Sequence, residues 1–334
     1  GSVKTLIGHT KAAAGVSGLI KVALSLYHRV LPAHYGVDKP IDTVADAQSP
    51  VYLLKDARPW VASPQHPRRG AASAFGFGGT NFHAVLEEYS GAASGARGGN
   101  RWPAELFLFR AADVASLSHE LEKLLPQLQP GSRIKPAEFA AALARKAELR
   151  RAMPVALAIV AGDLKSLAQD LAAAVAHLQG GTKPLPASIK LNKNVPVTSP
   201  AVAFLFPGQG SQYLNMGREA ALYLPEVREA LEFADGVLAE EFRSPLSSLM
   251  LPHACFDAEA EAVQNAALTD TRVAQPAIGT MALGYLRLAE RLGIEPVAAA
   301  GHSYGEYAAL MAAGALDPAD FLRLSATRGR AMAA

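Results

Sequence analysis

Twice in this chain an apolar run too short for a helix flows directly into a glycine-rich turn. Residues 202–206 lead into Pro207-Gly208-Gln209-Gly210-Ser211-Gln212, and residues 296–300 lead into Gly301-His302-Ser303-Tyr304-Gly305. Short apolar runs bounded by turn residues read as strands. Two such junctions in one stretch restrict it to an α/β sheet, in which functional residues gather beyond the carboxyl ends of the strands. A helix is predicted over residues 306–313, directly after the second turn.

The second turn carries the strongest chemical signal. A serine on a sharp strand-to-helix turn is held in a strained backbone conformation that thrusts its hydroxyl outward, and glycines on either side leave room for the strand and the helix. The helix N-terminus and nearby free amides favour the negative charge of a tetrahedral intermediate. Ser303 is therefore the candidate nucleophile. The alternative is a structural turn, since Gly-x-Ser-x-Gly strings arise by chance in loops, but the flanking strand and helix supply the context that favours a nucleophile. His302, immediately beside Ser303, is read first as structural and second as an orienting residue. A serine hydroxyl needs a base, normally a histidine within about 3 Å. In this part of the chain only His253 and His302 precede Ser303, and no histidine follows it, so the general base is expected to lie outside this chain.

At 334 residues the chain exceeds one typical domain. Residues 90–100, almost all Gly, Ala and Ser, and residues 180–200, rich in Gly, Pro and Asn, read as boundaries. They divide the chain into regions 1–89, 90–200 and 201–334. In the first, a strand or turn ends near Gly8 and a helix covers residues 11–28. Ala12, Ala13, Ala14, Gly15 and Gly18 permit close backbone packing there, and Leu19, Val22, Ala23 and Leu26 form an apolar stripe, so this helix should be buried against its domain. Prolines 32, 40, 50, 59, 64 and 67 then interrupt regular structure, residues 71–77 lead into Gly76-Phe77-Gly78-Gly79-Thr80-Asn81, and a strand follows at 82–87. The middle region carries strands at 106–110 and 155–160 and helices near 117–125, 136–145 and 164–178, the last capped by Asp163. It holds no catalytic constellation and reads as a compact spacer.

Composition narrows the function classes. Half the residues are apolar and 28 are glycine, which excludes global disorder and suits an α/β protein. With 32 Lys and Arg against 30 Asp and Glu the formal charge is +2, so no whole-chain case exists for nucleic acid, membrane or polyanion binding. His66, Arg68 and Arg69 read as a solvated loop, with a phosphate or partner contact as the alternative. Cys255 is the sole cysteine, which excludes an internal disulfide or a multi-cysteine metal site. Its neighbours favour a core or semi-buried thiol. The opening Gly1-Ser2-Val3-Lys4 does not resemble a secretory signal and no membrane span is found, so a cytoplasmic location is expected.

Residues 203–334 resemble the start of malonyl-CoA:acyl carrier protein transacylases and of the acyltransferase domains of polyketide and polyunsaturated fatty acid synthases. The residues that carry this resemblance are Phe206-Pro207-Gly208-Gln209-Gly210-Ser211-Gln212, Thr271-Arg272-Val273-Ala274-Gln275-Pro276-Ala277, the Ser303 turn with Glu306, and Arg328-Gly329, in that order. The resemblance implies that Ser303 accepts an acyl group from a coenzyme A thioester and passes it to the phosphopantetheine thiol of an acyl carrier protein. It places the backbone amides of Gln209 and Tyr304 in the oxyanion hole, the Gln275 side chain in the site wall, and Arg328 against the free carboxylate of a malonyl-type substrate. The planar guanidinium fork suits bidentate carboxylate recognition; a surface arginine is the plain alternative. Tyr304 stands where many relatives have leucine or another apolar residue and is expected to narrow or reshape the acyl pocket. Malonyl is the favoured acyl group.

Residues 1–89 resemble the carboxyl-terminal part of a β-ketoacyl synthase of thiolase-like fold. Val3-Lys4 and Gly8-His9-Thr10-Lys11-Ala12-Ala13-Ala14-Gly15 match its catalytic lysine and histidine segment, and Phe75-Gly76-Phe77-Gly78-Gly79-Thr80-Asn81-Phe82-His83 its glycine-rich loop. By this resemblance His9 donates to the thioester carbonyl and stabilises the enolate formed on decarboxylation, while Lys4 supports the histidine. Phe82 stands where many modular synthases have alanine, a variant similar to the polyunsaturated fatty acid synthase branch. His9 as a packed loop histidine is the plain alternative, and a nucleotide loop is disfavoured because no lysine-serine or lysine-threonine pair follows the glycines. The region between then takes the place of the linker that spaces ketosynthase from acyltransferase.

The expected fold class is α/β: the C-terminal portion of a thiolase-like ketosynthase, an α/β linker, and the first part of an α/β-hydrolase-like acyltransferase core. The chain reads as a truncated piece of a multidomain synthase, lacking the condensing cysteine and the acyltransferase base, and incomplete by itself. No permanently bound cofactor or metal is expected. The resemblance implies a malonyl-type CoA, an acyl carrier protein and the missing ketosynthase and acyltransferase portions as partners; a homodimer is left open. A catalytically idle docking or scaffold segment and a free serine hydrolase are the competing readings.

Overall fold

The structure is a computed structural model that describes residues 1–46, 49–89, 91, 102–129, 131–195 and 201–334. Residues 1–100 and 201–334 form one compact unit and residues 101–200 a second.

The first stretch begins with a short helix α1 (Lys4–Ile7) where a strand or turn is predicted, followed by a 3-10 turn at Lys11–Ala13 and helix α2 (Ala14–His28). Next come β1 (Val30–Leu31), α3 (Asp42–Ala45), β2 (Arg58–Pro59), β3 (Arg69–Phe75) and β4 (Asn81–Glu87). β3 and β4 pair antiparallel from Arg69 opposite Glu87 to Phe75 opposite Asn81. The glycine-rich loop between them turns through positive φ at Gly78 and Gly79, +93° and +87°, values that L side chains rarely adopt.

Small residues bring α2 onto this hairpin. A Cβ at Gly70 would come within 2.7 Å of Val22, and one at Gly15 within 3.1 Å of Ala74. The expectation that α2 is buried is only partly met, since one face lies on β3 while Val16, Ile20 and Leu24 on the other stay 51, 53 and 51% exposed. An amphipathic stripe reports that a face seeks a partner; it does not say that the partner is among the residues described.

The second unit contains β5 (Glu105–Ala111), α4 (Val114–Leu124), α5 (Pro136–Leu149), β6 (Val155–Ala161), α6 (Leu164–Leu178) and β7 (Ile189–Asn192). Its antiparallel sheet runs β5-β6-β7. Alternate residues Phe107, Phe109, Leu157 and Ile159 face inward against Leu117, Leu121, Leu167 and Leu171 from α4 and α6. Asp163 accepts from the Ser166 amide and Ser166 returns the contact, a reciprocal cap that starts α6 where predicted. β7 is the strand that sequence reading misses. It is four residues long, lies in the stretch taken as a boundary, and is recognisable only by its pairing with β6.

The third stretch completes the first unit with β8 (Ala203–Phe206), α7 (Arg218–Tyr223), α8 (Pro225–Val237), α9 (Leu246–Met250), α10 (Ala258–Thr269), α11 (Thr271–Arg291), β9 (Ala298–Gly301), α12 (Gly305–Ala312) and α13 (Pro318–Ala333). The long α11 is its axis, with Ala277, Ile278, Met281 and Leu283 in a core shared with α8 and α13. Glycine permits the close approach: a Cβ at Gly284 would lie 3.1 Å from the Val227 backbone. β8 and β9 are parallel neighbours, with Phe206 opposite Gly301.

Arg68 corrects the solvated-loop reading. Only 4% of it is exposed, and its guanidinium donates to both Glu88 oxygens, to Glu232 on α8 and to the Trp60 carbonyl. Two separate carboxylates supply the countercharge that burying a guanidinium requires. Glu232 also accepts from the Ala62 amide. The segment containing Trp60 and Ala62 is thereby tied to α8. Cys255 is half-buried, as expected, and burial followed by Asp257 and Glu261 pushes its thiol up, against a nucleophilic role.

Candidate active site

The parallel pairing of β8 and β9 sets the two glycine turns side by side. The His302 amide donates to the Phe206 carbonyl at 3.1 Å, continuing the ladder past the end of β9. Ser303 then takes φ +53°, and its side chain is exposed. A non-glycine residue in this region is strained unless its surroundings hold it. The surroundings are tight: a Cβ at Gly305 would lie 2.2 Å from the Phe206 carbonyl oxygen, one at Gly301 2.0 Å from the Gly305 backbone, and one at Gly208 2.6 Å from the His302 carbonyl oxygen. Only hydrogen fits at these three positions.

The turn leaves two amides uncommitted. The Gly305 amide returns to His302 and the Glu306 amide to Ser303, which closes the first turn of α12. Among the described residues the amides of Gln209 and Tyr304 donate to nothing. Gln209 stands in the turn that leaves β8, and Tyr304 follows Ser303 at the positive end of α12.

A polar chain crosses the site. Arg328 Nη1 donates to Gln275 Oε1 at 2.8 Å, Gln275 Nε2 donates to Thr271 Oγ1 at 2.8 Å, and Thr271 Oγ1 donates to Gln209 Oε1 at 2.8 Å. Residues from three separated sequence motifs thus share one directional hydrogen-bond series. Gln275 is completely buried, so its carboxamide must be satisfied from within, and it is. The Arg328 guanidinium also lies 5.6 Å from the centre of the Tyr307 ring. Thr271 is a site residue that motif reading quotes without a role. Its position four residues before Gln275, on one helix face, is the signal that could have found it.

Tyr304 occupies a different place from the one expected. Its ring is fully buried between α11 and α13, with none of its surface exposed, and its hydroxyl lies 2.6 Å from Ser325 Oγ. The ring belongs to the core beneath the turn. Burial pushes its phenol far above the ordinary tyrosine value, so it is neutral.

Neither histidine of this region bonds to Ser303 among the described residues. His253 stacks on Tyr52 at 3.6 Å, and burial followed by the Arg58 charge lowers its pKa. His302 is exposed, with its ring nitrogen against Gly208. In the other half of the unit, His9 Nδ1 accepts the Lys11 amide at 3.1 Å, which leaves the neutral ring its proton on Nε2. Lys4 lies on α1 and no hydrogen bond joins it to His9 among the described residues. His83 Nδ1 pairs across the hairpin with Ser73 Oγ at 2.8 Å. Among the described residues no cluster of metal-ligating side chains occurs and no helix is long and apolar enough to cross a membrane.

Residues 203–334 match the acyl transferase domain family, and residues 1–38 match the C-terminal domain of β-ketoacyl synthases. The chain is a ketosynthase–acyltransferase region of the kind found in type I polyketide and polyunsaturated fatty acid synthases. It is 32% identical to a polyunsaturated fatty acid synthase subunit of Thraustochytrium sp. over 99% of its own length and 12% of that protein. It is 35% identical to spectinabilin polyketide synthase system protein NorB of Streptomyces orinoci over 99% of its length and 15% of that protein. The chain therefore spans a small part of each relative. In fold it is similar to the acyl transferase domain of ZmaA, with a TM-score of 0.57 and 22% identity over 70% of this chain and 49% of that one.

Proposed function

We propose that Ser303 carries an acyl group, as an ester, from a malonyl-type CoA thioester to the phosphopantetheine thiol of an acyl carrier protein. The observation that carries this reading is the left-handed Ser303 at the joined ends of β8 and β9, in turns whose Gln209 and Tyr304 amides are uncommitted among the described residues. Ser303 Oγ attacks the thioester carbonyl and gives up its proton to a base. The carbonyl oxygen takes the charge and accepts from the two amides. Collapse breaks the C–S bond, releases CoA as its thiol and leaves the ester. The carrier thiol then attacks that ester, and the serine hydroxyl is restored. Since neither His253 nor His302 bonds Ser303, this reading takes the base from outside the chain's described residues. Arg328, whose fork retains donors beyond the one given to Gln275, holds the free carboxylate of the acyl group.

The same reading gives the N-terminal part a share in decarboxylative condensation. His9 offers its Nε2 proton to the thioester carbonyl and steadies the enolate, and Lys4 supports it. The outward proton fixed by the Lys11 amide suits that role. No bound cofactor takes part; CoA and phosphopantetheine enter as substrate and carrier.

Intact-mass spectrometry of the full-length protein after exposure to malonyl-CoA tests the proposal. A malonyl adduct on the wild type that disappears in Ser303→Ala is the expected result. No adduct on the wild type, or one that survives the substitution, refutes it.

A further inference from the structure

The tyrosine that follows Ser303 reaches both helices that carry the acyl-recognition residues. Its hydroxyl lies 2.6 Å from Ser325 Oγ, and Ser325 in turn donates to the Phe321 carbonyl at 2.7 Å. Because the serine proton is committed to that carbonyl, Tyr304 is the donor. Ser325 stands one helical turn before Arg328 on α13. On the other side the tyrosine oxygen occupies the place a side chain would take at Gly279, where a Cβ would come within 2.3 Å of it. Gly279 stands one turn after Gln275 on α11. A third route runs through rings, with Tyr307 stacked on Tyr304 at 6.3 Å and 12° and Arg328 over the Tyr307 ring of that pair.

We infer that Tyr304 is a positioning and specificity-determining residue that sets the Arg328–Gln275 pair in register with the nucleophile. This rests on the reading of Ser303 and Arg328 given above. The backbone of Tyr304 belongs to the serine turn, so its side chain is a strut of fixed length between that turn and the two helices. A tyrosine is stiff about its ring, and this hydroxyl sits in a fully buried place facing one acceptor. Losing the hydroxyl frees α13 to shift relative to Ser303, and an acyl group held at both ends responds more than one held at a single end. The device therefore bears on substrates with a distal carboxylate and much less on those without one.

The test compares malonyl-CoA with propionyl-CoA as donors, using the full-length protein and its Tyr304→Phe, Ser325→Ala, double and Arg328→Ala variants. Tyr304→Phe keeps the ring and leaves Ser325 its bond to Phe321, so it serves even if Ser325→Ala folds poorly. Removing one buried hydrogen bond is expected to lower the malonyl-to-propionyl ratio of kcat/KM about tenfold, mainly through a higher KM for malonyl-CoA. The double variant should fall no further than either single one. An unchanged ratio in Tyr304→Phe, with a lower melting temperature, makes the tyrosine a core residue only and overturns the inference. Arg328→Ala separates the two levels. A collapsed ratio there beside an unchanged one in Tyr304→Phe refutes the strut alone, whereas an unchanged ratio in Arg328→Ala refutes the carboxylate reading as well.

Discussion

Arg328 and Gln275 meet at 2.8 Å, guanidinium to carboxamide oxygen, across 53 positions of sequence. Because the amide oxygen faces the arginine and the amide nitrogen faces Thr271, a negative group at residue 275 would compete with substrate for the same cation. Gln275→Glu should place a carboxylate against Arg328 and lower kcat/KM for malonyl-CoA by about a hundredfold, as a charge-assisted pair takes the guanidinium out of service. Its folding stability should stay within about 1–2 kcal/mol of the wild type, since the new charge is paired. Steady-state transfer rates and denaturant titrations check both halves.

Two glycines predict opposite outcomes for the same substitution. Gly305→Ala would drive a methyl to 2.2 Å from the Phe206 carbonyl oxygen. The serine turn and β8 would have to part, at a cost of about 3 kcal/mol or more and with loss of acyl-enzyme formation. Gly236, inside α8, has nothing within 4 Å of its Cβ position. Gly236→Ala should stabilise by about 0.5 kcal/mol, the lower end for a helical position, since it stands in the last turn of α8. Thermal melts of both variants test the contrast.

Arg68→Ala should be the most damaging change away from the serine turn. It takes from Glu88 and Glu232, both largely buried, the guanidinium they share, and leaves each with a more distant arginine, Arg29 at 3.6 Å and Arg228 at 3.8 Å. The expected loss is about 3 kcal/mol. Arg68→Lys should recover only part of it, because a single ammonium cannot serve two carboxylates and the Trp60 carbonyl together. Urea unfolding of the three proteins measures the series.

The same cluster predicts an acid limit. Burial pushes the Glu88 carboxyl up, but the Arg68 amide and guanidinium, with Arg29 beyond, outweigh it and hold the pKa below the ordinary value. A depressed carboxylate contributes stability that is present above its unfolded pKa of about 4.3 and is lost as pH falls through the folded value. Between pH 7 and pH 3 the wild type should therefore lose more stability than Glu88→Gln. Equal losses in the two proteins would exclude Glu88 as a source of the acid sensitivity.

Much of the middle unit was legible from periodicity and turn chemistry. The helix predicted over 164–178 is observed over Leu164–Leu178 with its Asp163 cap, because each signal involved is local to a few residues. The strand-turn-helix around Ser303 was legible for the same reason. Glycine at 301 and 305 and serine between them mark the bend locally, while its contacts with Phe206 and Gly208 on the neighbouring strand and turn hold it in place. Of the stripe read on α2, Leu26 is buried and Val22 packs on Gly70, but Leu19 and Ala23 are exposed, because burial depends on surfaces that the stripe cannot name.

The order of residues alone determined the two strand-to-turn junctions and which serine stands on the bend, since these follow from short-range geometry, whereas the arginine and the glutamines were named only through the resemblance of their motifs. Only the tertiary structure decided that Tyr304 turns inward to Ser325, that Thr271 joins Gln275 to Gln209, and that Arg68 is buried between Glu88 and Glu232. Each of these joins positions brought together by the packing of α8, α11 and α13 and by the pairing of the strands. Where a buried polar group finds its partner is a property of that packing, and no local pattern records it.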